Sequence, residues 1–306
     1  MSTALLLVQT LNGLQLGVLL FLIAAGLTLV FGVMGFINLA HGVQYMIGAY
    51  LAAMFTSLTG SFWTGLLLTL PTALAFGLVL EIALFRRLYG RDHLDQVLVT
   101  FALIIFLNQA VKAVWGAAPL GVPMPDALSG SIRLMEGILY PVYRLVLIAA
   151  GLATAGLLYV LVSRTRVGML VRAGASNAPM VAVLGVDIER LFMMVFGFGA
   201  MLAGFAGAMV SPILSVEPGM GDNLLILTFV VIVIGGIGSI RGALVAALLV
   251  GLIDTLGRAF GPQLLRYLME PAAASQTGRS LAPMLIYILM AAILYFRPSG
   301  LFPVRR

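Results

Sequence analysis

Cysteine is absent from all 306 residues, which excludes disulfides, thiolate nucleophiles and thiolate metal sites. Charge is scarce. Asp, Glu, Lys and Arg make up 9% of the chain, where a soluble domain carries about 25%. A soluble globule is excluded, because the polar surface needed to cover one is missing. Lysine is scarcer still, since Lys112 is the only one. A P-loop requires GxxxxGK[ST], whose lysine reaches the nucleotide phosphates. Lys112 follows Asn108, Gln109, Ala110 and Val111, with no glycine loop. ATP hydrolysis by a P-loop on this chain is therefore excluded, and any ATP-driven work needs another polypeptide. The two histidines, His41 and His93, lie in different regions, and neither HExxH nor GxSxG occurs. No catalytic residue, metal-ligand set or chain-bound cofactor is read.

What the chain has is apolar length. Hydrophobic residues make up 62% and the mean hydropathy is +1.13. The apolar runs are continuous rather than alternating with period two, so a β-barrel is excluded. The fold class is all-α: a polytopic transmembrane helical bundle forming one domain over residues 1–306. A span needs about 20 mostly apolar residues. Nine runs qualify at 11–31, 36–58, 62–85, 97–115, 142–162, 191–214, 224–240, 243–260 and 281–296, giving a range of 8–10 crossings. The 35 glycines suit helices in close contact. No cleavable signal peptide is expected, because no basic stretch precedes the first run.

The net charge of +6 carries no nucleic-acid signature, since the charges cluster at span ends. With the loop after Phe85 in the cytoplasm, eleven of the 17 basic residues fall inside, including Arg86, Arg172, Arg241, Arg305 and Arg306. This bias predicts a cytoplasmic C-terminus.

Residues 31–50, FGVMGFINLAHGVQYMIGAY, interrupt the apolar pattern. Gly32 and Gly35 suit a helix end, and Asn38 suits an N-cap for the next helix. Transport proteins build substrate sites at such breaks. Asn38, His41, Gln44 and Tyr45 are thus candidate substrate-pathway residues. The plain alternative is a tight hairpin at the membrane surface, with Asn38 as cap and His41 as packing. A second turn, GGIGSIRG at residues 235–242, echoes the first. Gly235, Gly236, Gly238 and Gly242 are candidate break residues there, and the echo hints at a parallel duplication.

Residues 163–191 form the longest cytoplasmic loop. Asn177 can cap a short helix, Pro179 is tolerated in its first turn, and Gly185 can end it. Met180, Val183 and Leu184 share one face, flanked by Arg172 and Asp187. Two turns are unstable alone. This helix packs either on its own bundle or in a groove of a partner. In the sixth run, Gly197, Ala200, Gly204 and Gly207 form a small-residue face for helix packing. Glu81 and Asp254 lie near span ends, Glu81 close to Arg86 and Asp254 four residues before Arg258, which favours structural ion pairs.

Four ordered segments resemble one family. Residues 36–42 and 45–50, FINLAHG and YMIGAY, resemble the INFAHG-YMIGAY motif of ABC permeases for branched-chain amino acids. Gly168, Arg172, Asn177 and Gly185 fall where that family carries its GRAxRAxxxNxxxAxLLGI segment. Residues 235–243 resemble its GGxGSxxGA turn, and 297–301 its RPxGL. Departures are Gln44 near the family's usual acidic residue, Met169-Leu170-Val171 before Arg172, and Arg241 within the turn. The resemblance implies a multi-pass permease of the bacterial inner membrane. It implies a homologous second permease, two cytoplasmic ATPases that bind ATP and Mg, and a periplasmic substrate-binding protein. It also implies that Asn177 to Gly185 is the coupling helix. Alternatives are a permease of the same family for urea, amides or other amino acids, a stand-alone secondary transporter, and a membrane enzyme of lipid or cell-wall synthesis.

Overall fold

The computed structural model describes residues 3–135 and 137–303. Arg305 and Arg306, counted above on the basic side, lie outside the described residues. The chain folds as a helical bundle around its first helix, α1 (Thr3–Met34), whose side chains from Val18 to Val30 are buried. At 1.5 Å per residue its 32 residues extend about 48 Å. Burial on all sides follows from apolar character on all sides. Glycine sets how closely the neighbours approach. Gly13 and Gly17 lie against the backbone of Leu252 and Leu248 in α9 (Ile240–Leu265), whose Gly251 faces back onto both. A methyl group on Gly32 would lie 2.6 Å from Gly238 Cα.

The remaining helices wrap this spine. They are α2 (His41–Thr59), α3 (Phe62–Ala83), α4 (His93–Trp115), α5 (Val142–Arg164), α6 (Arg166–Val183), α7 (Ile188–Val210), α8 (Asp222–Gly235), α10 (Pro271–Leu281) and α11 (Met284–Phe296). The small-residue face of α7 packs as its sequence suggests. Gly204 meets Gly48 of α2 and Ala73 of α3, Gly207 meets the Tyr45 carbonyl, and Gly197 meets Leu78. A short antiparallel hairpin, β1 (Ser131–Met135) with β2 (Ile138–Pro141), interrupts the Pro/Gly-rich segment that precedes α5.

Several expectations change. Among the described residues six helices are long and apolar enough to cross a membrane, or seven if α10 and α11, bent by 51°, form one span. Fewer helices meet this criterion than the expected 8–10 crossings. Two of the nine expected spans account for most of the difference. α8 has 14 residues, about 21 Å, against a hydrocarbon core of about 30 Å. α2 begins with His41, Gly42 and Gln44, which lower its apolarity. Gly32 lies within α1 and serves close packing, while Gly35, with φ +63°, makes the actual turn. Asn38 does not cap α2. The N-cap is Ala40, without a side-chain bond, and the Asn38 carbonyl accepts from His41 N.

Among the described residues, Arg86, Arg172 and Arg241, three of the basic side chains assigned to the cytoplasm, lie at one end. Arg86, just past α3, reaches Glu189 at the start of α7 (3.6 Å), and the ends of α1 and α8 lie side by side there. The opposite end carries the hairpin and a bridge between Leu120 and Val216.

Candidate functional site

The break after α1 is not a surface hairpin. From Gly35 the chain turns back along α1, and Phe36, Asn38 and Ala40 are each fully buried. α2 therefore starts inside the bundle. His41 Nε2 lies 3.1 Å from the Ile23 carbonyl and its ring touches Gly26. That level is eight residues, about 12 Å, before the end of α1. The N-cap of α8, Gly221, meets α2 where a methyl on Gly42 would lie 2.5 Å from the Gly221 carbonyl. The first residues of α8, Asp222 and Asn223, are exposed, so of the two α2 alone presents a buried helix N-terminus, a region of partial positive charge.

Around it is a cluster of buried polar side chains. His41, Gln44 and Tyr45 follow i, i+3, i+4 spacing and share one face of α2. Asn38 precedes them. All four are at most 2% exposed. Both amide atoms of Asn38 and the hydroxyl of Tyr45 find no hydrogen-bond partner among the described residues, and the Gln44 amide and His41 Nδ1 face one another without a bond of good geometry. Tyr50 and Thr56, further along α2, also have unpartnered hydroxyls. Most buried polar groups are paired, because leaving one unpaired costs about 1–3 kcal/mol. Such atoms are concentrated at this helix break.

The structure places all four candidate pathway residues, buried, at this break. The i, i+3, i+4 pattern carried the signal for the α2 members. Gln96, 3% exposed, was missed. Its Oε1 accepts from Ile37 N (3.2 Å) and its Nε2 donates to the Leu88 and Arg91 carbonyls, which ties the re-entrant segment to the start of α4.

The second break is held from below. Gly236 and Gly238 have φ of +97° and +83°, and Ser239 caps α9 by accepting from Gly242 N (3.0 Å). Gly235 and Gly242 press together without side chains between them. Leu301 N donates to the Ile234 carbonyl (2.8 Å) and Phe302 N to that of Gly235 (3.0 Å). The RPSGL segment therefore clamps this turn, which itself abuts Gly32.

The short helix after Asn177 forms as its residues suggest. Asn177 breaks helical geometry (φ −157°, ψ 85°) and its Oδ1 accepts from Met180 N (3.0 Å). Gly185 ends it at φ +87°. The preceding residues, from Arg166, are helical too, which the loop reading missed. Val183 and Leu184 are 83% and 76% exposed and Met180 is also exposed, so this apolar tip is left largely uncovered by the described residues. Asp187 caps α7 through Arg190 N and pairs with the Arg190 side chain at 2.8 Å. Arg172 lies away from the tip, on a cavity beside α1.

Both membrane acids are paired. Glu81, fully buried, accepts from Arg86 (3.1 Å) and from Tyr89 OH (2.9 Å), and Asp254 takes Arg258 at 2.9 Å. Burial and the Glu81 carboxylate push the Tyr89 phenol above its ordinary range, so it stays a donor.

The family described as branched-chain amino acid transport system, permease component, matches residues 9–296. The chain is 29% identical over 307 aligned positions to the high-affinity branched-chain amino acid transport system permease protein BraD of Pseudomonas aeruginosa, covering 96% of this chain and 94% of that one. It is 30% identical over 272 positions to the corresponding LivH protein of Escherichia coli, covering 82% and 86%. It is 26% identical over 265 positions to a probable branched-chain amino acid transport permease protein LivH of Methanocaldococcus jannaschii, covering 81% and 82%. No solved structure matches.

Proposed function

The chain belongs to the permease-component family of branched-chain amino acid transport systems, and on that premise we propose that it is the membrane subunit of an ABC importer for branched-chain or related amino acids. The observation that carries the site assignment is the cluster of buried Asn38, His41, Gln44 and Tyr45 where α2 begins within the bundle, most of whose side-chain polar atoms lack a well-formed partner among the described residues. An amino acid is a zwitterion. Its carboxylate suits the partial positive charge of a helix N-terminus, and neutral amides, an imidazole and a phenol can bind it without trapping it. Alternating access then requires the Gly42–Gly221 contact to part and close.

The arginine-rich end is the cytoplasmic one in this proposal, with the C-terminus inside. The apolar tip at Met180, Val183 and Leu184 docks in a groove on an ATPase subunit, in the helix-in-groove manner. Two such ATPases carry ATP and Mg, a second homologous permease completes the pathway, and a periplasmic protein delivers substrate. The chain itself supplies no catalytic group. The stand-alone transporter loses its support, since Glu81 and Asp254, its candidate relay acids, are engaged in ion pairs.

The test is purification of the tagged chain from its native membrane in mild detergent. Two P-loop ATPases and a second permease should accompany it. The assembly in liposomes should then accumulate leucine only with ATP and binding protein. Leucine transport by the chain alone would overturn the proposal. ATP-driven uptake of urea or an amide, with leucine ignored, would overturn the substrate and leave the subunit role.

A further inference from the structure

A cavity of about 430 Å³ opens at the arginine-rich end between α1, α5, α6 and the second break. Its polar lining includes Thr28, Tyr159, Arg172, Ser239 and Arg241. Neither arginine takes part in an ion pair among the described residues. Arg241 instead donates to Tyr159 OH (3.0 Å), with its guanidinium 4.8 Å from that ring's centroid. Two cations thus share one chamber with no carboxylate to neutralise them. Thr28, 1% exposed, turns an unpartnered hydroxyl to the same chamber about one helical turn deeper than Gly32.

A second cavity, about 280 Å³, is lined only by apolar side chains from α1, α3, α5, α6 and α7. Leu29, Val162 and Val171 line both. A cationic chamber therefore shares its wall with an apolar one. This pairing matches an amphiphile and not a small soluble anion, which would use the first chamber alone. Arginine holds phosphate through planar, two-pronged hydrogen bonding, and basic pockets between spans are sites for anionic lipid head groups.

We propose that these adjoining cavities bind a phospholipid with an anionic head group: phosphate on Arg172 and Arg241, an ester carbonyl accepting from Thr28, and an acyl chain along Leu29, Val162 and Val171. The proposal depends on the chain lying in a membrane and not on what it transports.

The test uses the full chain in a neutral detergent, following its melting temperature as ligand is added. A ligand that binds only the folded state raises that temperature saturably. Phosphatidylglycerol should give such a rise, and phosphatidylcholine and inorganic phosphate should not. The R172Q/R241Q double variant should lose the rise. R172K/R241K should keep part of it, and R91Q, outside the cavity, all of it. A rise that survives in the double glutamine variant, or an equal rise with phosphatidylcholine, would overturn the proposal. Inorganic phosphate reproducing the full rise would overturn the lipid as the source of the anion. Should the double variant not fold, native mass spectrometry of the unaltered chain decides. Phosphatidylglycerol retained in fixed stoichiometry after phosphatidylcholine dissociates supports the site, and loss of both together removes it.

Discussion

Single residues divide into those that hold the bundle and those that weaken it. Gln44 is 2% exposed, and among the described residues its amide meets only the His41 ring, without a bond of good geometry. Replacing an unsatisfied buried amide with a similar apolar group removes a desolvation cost. Gln44→Leu should therefore leave the melting temperature unchanged or raise it, while cutting leucine uptake by the assembled transporter on the order of tenfold, the loss of one hydrogen-bonding contact of about 1.4 kcal/mol. A large fall in melting temperature with normal uptake would return Gln44 to a structural role. Gly48 is the opposite case, because its backbone touches that of Gly204. Gly48→Val should cost about 1–3 kcal/mol through overpacking, seen as a lower melting temperature before any effect on transport. The α2 face was legible from spacing alone. The cap assigned to Asn38 was not, because local chemistry marks where a helix can start and tertiary packing decides where it does. Gln96 bonds a backbone 59 residues away, and no local pattern encodes such a contact.

Helices were legible wherever apolar runs were long. What the runs concealed was depth. α8 reads as a span in sequence, yet it is only about 21 Å long. The short helix after Asn177 was legible in full, since its cap, first-turn proline and terminal glycine are all local signals. Its function rests on what it meets outside the chain. Gly185→Leu places a side chain at φ +87°, a conformation only glycine adopts without strain. That variant should insert normally, appear at wild-type level in membranes and fail in uptake. Polar replacement of Met180, Val183 and Leu184 together should go further and release the ATPases during purification. ATPases that stay bound to the triple variant would move the docking surface elsewhere.

At the scale of the molecule, the motifs spread along the sequence converge. The first break, the second turn and the C-terminal segment touch one another, and Arg172 lines the cavity beside them. Their order in sequence suggested a family, and their meeting was visible only in three dimensions. The absence of cysteine makes the orientation directly measurable, because each introduced thiol is the only one. Ser129→Cys, near the hairpin, should react with a membrane-impermeant maleimide on intact cells, and Ser299→Cys only after lysis; the reverse pattern would invert the topology. The pairing of α1 with α9 also bears on biosynthesis. Gly17 and Leu248 touch but stand 231 positions apart, so at about 5–20 residues per second the first helix waits on the order of 10–50 s for its partner to leave the ribosome. During that interval its glycine face must rest on lipid or on the insertion machinery. A chain ending after α8 should accordingly enter the membrane and then be cleared by quality-control proteolysis, and co-expression of the missing C-terminal piece should lengthen its lifetime.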